Sequence, residues 1–223
     1  MMTMPENTIV SWSGGKDSAF ALYEIQKGKM HTIQALLTTV TEGYDRISMH
    51  GVRRVLLESQ ADSLGIPLEK VFLSKRSSHE DYESKMGTVL GKYRARKTSS
   101  VVFGDIFLED LRKYREEKLA GAGMKALFPI WKRNTHDLAR EFISKGFKAI
   151  ITCVDTKILD KSFAGRNFDI NLLSDLPPGI DPCGENGEFH SFVYDGPIFK
   201  YPIPFKKGVT VLRDERFYYC DLL

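Results

Sequence analysis

Ser13-Gly14-Gly15-Lys16-Asp17-Ser18 gathers two glycines, a cation, a carboxylate and two hydroxyls into consecutive positions, a set that suits a polyphosphate. Adjacent glycines let the backbone turn where other residues are barred and bring its N–H groups close to an anion. Lys16 adds a full positive charge, Ser13 and Ser18 add hydroxyl donors, and Asp17 suits a magnesium ion that itself carries phosphate oxygens. The spacing is too short for Walker A, whose Gly-Lys-Ser/Thr ending stands further from its first glycine. A plain glycine turn with a serine or aspartate helix cap is the competing reading. All six positions being filled at one strand-to-helix turn weighs against it.

A second constellation is Asp181-Pro182-Cys183-Gly184-Glu185-Asn186-Gly187-Glu188-Phe189-His190-Ser191. Either Glu185 or Glu188 suits a general base or a site for an amine, and His190 is expected to titrate near neutral pH. By itself the stretch reads equally well as a glycine-rich turn with solvated charges. The apolar run that follows it, from Phe192 to Tyr194, would anchor the loop on a strand.

The elements that must carry these residues are legible in the hydrophobic pattern. Residues 8–12 read as a strand, and a helix begins near Asp17 and stops at Gly28. Strands are expected over 33–40, 69–73, 99–103 and 149–154. Helices are expected over 51–64, with Val52, Val55, Leu56, Ser59 and Leu64 near one face, and over 79–96, 108–120 and 135–145, the last capped by Asn134. Strands alternating with helices predict parallel pairing through crossover helices. Beyond residue 176 the chain turns rich in proline, glycine and aromatics, which predicts a hairpin over 189–199 and a last strand near 216–220. A soft boundary near residue 130 divides an expected nucleotide-binding domain, 1–130, from a smaller domain, 131–223.

The chain has 223 residues, enough for one large domain or two small ones, with 42% hydrophobic and 27% charged residues. A net charge of +3 is too small to imply nucleic acid or an anionic membrane. No window approaches a membrane-spanning length, and residues 1–7 lack the basic start and apolar core of a secretory signal, so a cytoplasmic protein is expected. Three cysteines, Cys153, Cys183 and Cys220, include no Cys-x-x-Cys pair, which argues for reduced thiols rather than disulfides or zinc.

Ser-Gly-Gly-x-Asp-Ser after a first strand resembles the PP-loop of the ATP pyrophosphatases, which cleave ATP between its α and β phosphates and adenylate a second substrate. Gly184-Glu185-Asn186-Gly187-Glu188-Phe189 resembles the Gly-Glu-x-Gly-Glu-Phe signature of the diphthine ammonia ligase family, also called diphthamide synthase. Met49-His50, Phe128-Pro129-Ile130-Trp131 and residues 159–166 resemble further groups of that family, so the likeness spans the chain. It implies a Rossmann-like, HUP-type α/β fold, a parallel sheet flanked by helices, followed by a smaller C-terminal α+β domain. It also implies a ligase that adenylates a carboxylate with ATP and magnesium, then lets ammonia displace AMP. On this likeness Ser13, Gly14, Gly15, Lys16, Asp17, Ser18 and His50 bind ATP, Asp17 meets the metal, and Lys16, Asp17, Glu185 and Glu188 are catalytic. Gly104, Asp105, Arg112, Arg166, Glu185, Asn186, Glu188 and His190 would contact the acceptor.

One segment departs from the family pattern. Where many members carry Gly-x-Ile-x-Ser-x-Tyr-Gln-Arg, this chain has Gly104-Asp105-Ile106-Phe107-Leu108-Glu109-Asp110-Leu111-Arg112. If the Tyr-Gln pair that Asp110 and Leu111 replace lies in a buried site matched to the acceptor, the acceptor should no longer be diphthine. The family also has bacterial members, for which a corrinoid-type small molecule is an alternative acceptor. A tRNA-thiolating or tRNA-modifying PP-loop enzyme would share the first loop, but thiolation wants paired cysteines. Lys92-Tyr93-Arg94-Ala95-Arg96-Lys97 is the one candidate RNA patch and reads better as cations favoured at a helix C-terminus. A non-catalytic ATP or AMP sensor would have no use for the second loop's carboxylates. The expected partners are thus ATP, ammonia and a carboxylate acceptor, without membrane or nucleic acid, in a chain compatible with a homo-oligomer.

Overall fold

The chain forms β1 (Glu6–Ser11), α1 (Lys16–Lys27), β2 (His31–Thr41), β3 (Arg46–Ile47), α2 (Arg54–Leu64), β4 (Leu68–Leu73), α3 (His79–Ala95) and β5 (Thr98–Val102). It continues through α4 (Glu109–Gly121), β6 (Lys125–Leu127), α5 (Thr135–Ser144), β7 (Lys148–Asp155), α6 (Ile170–Asp175), β8 (Phe189–Asp195), β9 (Lys207–Arg213) and β10 (Phe217–Leu222). This computed structural model describes residues 4–43, 46–47 and 51–223. Met49 and His50, singled out above, lie outside the described residues.

β1 runs parallel to β2 and β5, β2 also to β4, and β5 to β6, while the short β3 is antiparallel to the end of β2. Because side chains alternate across a strand, each of these strands feeds two cores. Val10, Leu36 and Val102 pack with Phe20 and Leu22 of α1 and Leu57 of α2, whereas Ile9, Leu37 and Val101 pack with Leu90 of α3 and Leu119 of α4. The fold is α/β and Rossmann-like, with helices on both faces of a parallel sheet.

A second sheet is antiparallel, in the order β8-β7-β10-β9, and with α5 and α6 makes the smaller α+β part. Ile150, Phe192 and Val193 of this sheet join Phe20, Leu57 and Phe142 in one continuous core. The two sheets are therefore fastened together through α1, α2 and α5.

Three expectations need correction. The predicted hairpin over 189–199 does not form, since β8 pairs with β7. Pro197, Pro202 and Pro204 cannot donate to a ladder, so the chain runs on without a strand. The hairpin is β9–β10, turning at Asp214 and Glu215 with φ of +50 and +51. α6 was not expected; it is too short for a periodic signal, and Asp169 caps it by accepting from Leu172 N–H at 2.8 Å. In α2 the predicted face holds at Val52, Leu56 and Leu64 but not at Val55, which is exposed, nor at Ser59, whose neighbour Gln60 turns inward beside Leu57 and Ala61.

Candidate active site

From β1 the chain builds outward to β2 and β4 on one side, then returns to β5 and β6 on the other. The carboxyl end of β1 is therefore the switch point at which open α/β sheets bind ligands. Residues 12–18 occupy it. Gly14 has φ +77, and a Cβ there would lie 2.8 Å from Gln60 Oε1. A Cβ on Gly15, the N-cap of α1, would lie 3.0 Å from the Ser191 carbonyl. Gln60 explains its own burial: its Oε1 accepts from Trp12 Nε1 at 2.9 Å, and its Nε2 donates to the carbonyls of Gly14 at 3.0 Å and Val193 at 2.6 Å.

Within the loop, Gly15 N–H donates to Ser13 Oγ at 3.2 Å, and Ser18 Oγ donates to the Gly15 carbonyl at 3.0 Å. Lys16 N–H donates to Ser191 Oγ of β8 at 3.2 Å. Two backbone donors expected to face phosphate are thus held by hydroxyls, which can rotate away when a stronger acceptor arrives. Lys16 is almost fully buried, and its Nζ donates to both Asp17 oxygens, at 2.7 and 2.8 Å. The Phe168 and Phe189 ring centroids lie 5.9 and 5.7 Å from that ammonium. Burial opposes its charge, but Asp17, by attraction and by hydrogen bonding, outweighs burial and carries the Lys16 pKa above its ordinary value.

The carboxylate-rich loop faces this one from the second sheet. Gly184 and Gly187 take φ of +66 and +89 there. Buried Glu188 accepts from Asp181 N–H at 3.1 Å and from Asn186 N–H and Nδ2 at 3.0 Å each. Both its oxygens are engaged within the loop and hold it in shape. Glu185 differs. Its Oε1 accepts from the N–H groups of Ile106 at 2.7 Å and Phe107 at 3.4 Å. Burial pushes its pKa up to about 7; those N–H groups pull against this, and Asp17 adds to it.

Residues 104–107 bridge the two loops. A Cβ on Gly104 would lie 2.6 Å from Asp17 C and 2.8 Å from Ser18 N, so only glycine permits this approach to the start of α1. Asp105, raised in pKa by burial and lowered less by Arg115, pairs with that residue's Nε at 2.7 Å. Lys132 N–H donates to the Ile106 carbonyl at 2.7 Å, which brings the Phe128–Trp131 segment alongside.

The remaining predicted residues divide. The Arg112 guanidinium lies 5.0 and 4.7 Å from the ring centroids of Phe128 and Trp131, and its Nε donates to Glu116 at 2.7 Å. Asp110 is exposed and Leu111 is half-buried, so neither sets a buried carboxylate against the acceptor, and the argument from a buried mismatch against diphthine does not hold. Arg166 pairs with Asp175 at 2.6 Å and is not brought to the loops through any hydrogen bond among the described residues. His190 does not titrate near neutrality: burial, with help from Lys16, pushes its pKa down to about 4. Cys153, Cys183 and Cys220 are all buried and free, and burial pushes the Cys153 thiol up to about 11 and the Cys183 thiol further.

A cavity of about 710 Å³ opens beside Ser13 and runs between α3, α4 and the sheet, lined among others by Thr38, Thr39, Tyr82, Phe103 and Arg115. Of these, Phe103 adjoins the predicted Gly104 and Arg115 pairs with the predicted Asp105, whereas Thr38, Thr39 and Tyr82 were not singled out by the sequence. Its size suits a small-molecule ligand. Among the described residues no three His, Cys, Asp or Glu side chains gather as a metal centre. Asp17, a third of whose side chain is exposed, fits the lesser donor set of a magnesium held mainly by phosphate. No described helix is long and apolar enough to cross a membrane.

A glycine-rich phosphate loop at the switch point of a Rossmann-like sheet, faced by a carboxylate of raised pKa, defines a ligase of the PP-loop type. Residues 6–126 match the diphthamide synthase N-terminal domain, and residues 134–221 match the diphthamide synthase C-terminal domain. The chain belongs to the diphthamide synthase family. It is similar to a diphthine–ammonia ligase of Danio rerio, 28% identical over 91% of this chain and 88% of that protein, and to one of Homo sapiens, 26% identical over 86% and 79%. Among solved structures, the U34-tRNA thiolase NcsA from Methanococcus maripaludis with its 4Fe-4S cluster is 17% identical, covering 64% of this chain and 58% of its own, with a TM-score of 0.40.

Proposed function

We propose that this chain is an ATP-dependent amide-forming ligase in which a carboxylate oxygen of the acceptor attacks the α phosphorus of ATP and pyrophosphate leaves. Ammonia nitrogen then attacks the acyl carbon, AMP leaves with the bonding electrons, and Glu185 takes the proton released by the attacking nitrogen. The single observation that carries this reading is the placement of Glu185, at a pKa of about 7, across the 104–107 bridge from Lys16. A carboxylate at that value is a competent base near neutral pH.

In this reading residues 13–18 hold the phosphates, and the nucleoside extends into the cavity past Ser13. Lys16 leaves Asp17 to neutralise phosphate, and Asp17 is freed to meet magnesium, which would supply charge neutralisation on the departing pyrophosphate. His50 remains assigned to ATP by resemblance. Arg112, beside two rings and bound to Glu116 through Nε, offers its terminal nitrogens as a fork to an acceptor carboxylate. Gly104, Asp105, Asn186 and His190 remain assigned to the acceptor by resemblance. The acceptor is a carboxylate, and diphthine, which the relatives' names specify, is the first to test. A cytoplasmic setting with reduced thiols and a homo-oligomeric assembly belong to the same proposal.

Labelled ATP incubated with ammonium and candidate carboxylates, a diphthine-bearing elongation factor among them, tests this. AMP and pyrophosphate are expected in step with amide formed. ADP and phosphate, or nucleotide binding without turnover on any carboxylate, would refute it.

A further inference from the structure

A glycine-rich turn feeding a helix binds phosphate with donors of its own backbone. Here a further donor stands on the second sheet. β8 lies along the turn: Val193 N–H donates to the Gly14 carbonyl at 2.9 Å, and two residues earlier Ser191 Oγ accepts from Lys16 N–H at 3.2 Å. A Cβ on Gly15 would lie 3.0 Å from the Ser191 carbonyl and 3.6 Å from its hydroxyl, so glycine is what lets the strand come this near. At Ser191 the ladder to β7 also slips. Ile151 pairs with Ser191 but Cys153 with His190, which leaves Thr152 as the extra residue of a bulge. Bulges re-aim side chains and gather beside active sites.

Ser191 is only 4% exposed, and a hydroxyl has one hydrogen to donate as well as lone pairs to accept with. Its accepting side is engaged by Lys16, but its hydrogen finds no acceptor among the described residues. Buried donors are seldom left so. We infer that Ser191 is a phosphate-binding residue supplied by the second sheet, its hydroxyl donating to the phosphate oxygen that takes over the Lys16 N–H, an assignment resting on residues 13–18 as the phosphate loop. An anionic oxygen is a stronger acceptor than a hydroxyl, so the N–H passes to it. Oγ, relieved of that bond, turns its own hydrogen to the same oxygen. The phosphates are then held between the first turn of α1 and β8. The strand that follows the carboxylate loop thereby touches them directly.

Calorimetric titration of the full chain with pyrophosphate, ATP and adenosine, with folding checked by circular dichroism, tests this. Valine and threonine have nearly the same shape and differ by the hydroxyl, so Ser191→Val and Ser191→Thr isolate it. Ser191→Thr is expected to keep pyrophosphate and ATP affinity within about threefold of the parent, and Ser191→Val to lose about tenfold or more for both. Adenosine should bind the two variants equally. Ser191→Ala, which adds no bulk, should lose as much as Ser191→Val. Equal pyrophosphate affinity in the valine and threonine variants overturns the inference. So does a Ser191→Ala chain that binds pyrophosphate as tightly as the parent or more tightly, for the hydroxyl then only fills the place of a phosphate oxygen. A loss in Ser191→Val that extends equally to adenosine also overturns it, since that marks a misshapen loop. A parent that binds neither pyrophosphate nor ATP defeats the nucleotide reading itself and this assignment with it. None of these readouts needs an acceptor, so they are separate from the test of amide formation.

Discussion

Two titratable groups flank Lys16, and burial moves them in opposite directions. Glu185 keeps its proton to about 7 in the fold, against an ordinary value of 4.5, so between those values the folded state binds more protons and stability falls as pH rises. His190 loses its proton down to about 4 against 6.5, so between those values the unfolded state binds more protons and stability falls as pH drops. Glu185→Gln removes the first slope. Its carbonyl still accepts from Ile106 N–H, so the variant is expected to be more stable than the parent near pH 8 by about 2 kcal/mol after solvent screening. Turnover should fall by about 10² or more. Urea unfolding near pH 5 and pH 8 beside AMP release measures both, and a variant less stable than the parent near pH 8 contradicts the assignment. The thiols act otherwise. Protonated at neutral pH, Cys153 and Cys183 supply no thiolate, and their joint replacement by serine should leave kcat within about threefold. Abolished turnover in a folded double variant would point to sulfur chemistry instead.

The connections between strands and helices set the geometry more than the elements they join. Gly104 follows β5 and touches the backbone of Asp17 and Ser18, where nothing flexible can give way. Gly104→Ala is expected to push the start of α1 away from β5, with about 1–3 kcal/mol of destabilisation and about tenfold weaker ATP binding. In α3, by contrast, a Cβ on Gly87 meets nothing within 4 Å. Gly87→Ala should therefore stabilise by about 0.5–1 kcal/mol, the ordinary gain inside a helix. Chemical unfolding of both variants separates the two cases, and calorimetric titration of Gly104→Ala with ATP measures the binding loss; equal effects on stability would mean that the close approach at Gly104 does not matter.

Gln60 ties the parts together. One side chain on α2 reaches Trp12, Gly14 and Val193, joining the first sheet, the phosphate loop and the second sheet. Gln60→Leu leaves buried polar groups on all three without a partner, which should cost about 2–4 kcal/mol. Since Phe192 and Val193 share a core with Phe20 and Leu57, the two sheets are expected to melt in a single calorimetric transition in parent and variant alike. Two resolved transitions, one for each sheet, would show that the shared core does not couple them.

What the amino-acid order determined by itself was local: the phosphate loop, the strand-to-helix turn that carries it, the parallel α/β order, and Asn134 as a cap, observed accepting from Asp137 N–H at 3.1 Å. These rest on residue type and short periodicity, which neighbours along the chain express without help. The rest depended on what meets across space. Glu185 and Glu188 have the same side chain and nearly the same place in the chain, yet one is engaged by its own loop and the other by residues 106 and 107. The inward turn of Gln60 in α2 makes sense only once Gly14 and Val193 supply acceptors for its amide. The cavity beside Ser13 exists because α3 and α4 stand apart above the sheet, a distance that no local pattern records. Whether a polar residue is solvated, holds a loop or acts as a base depends on desolvation and on partners far away in the chain, and only the tertiary structure decides those.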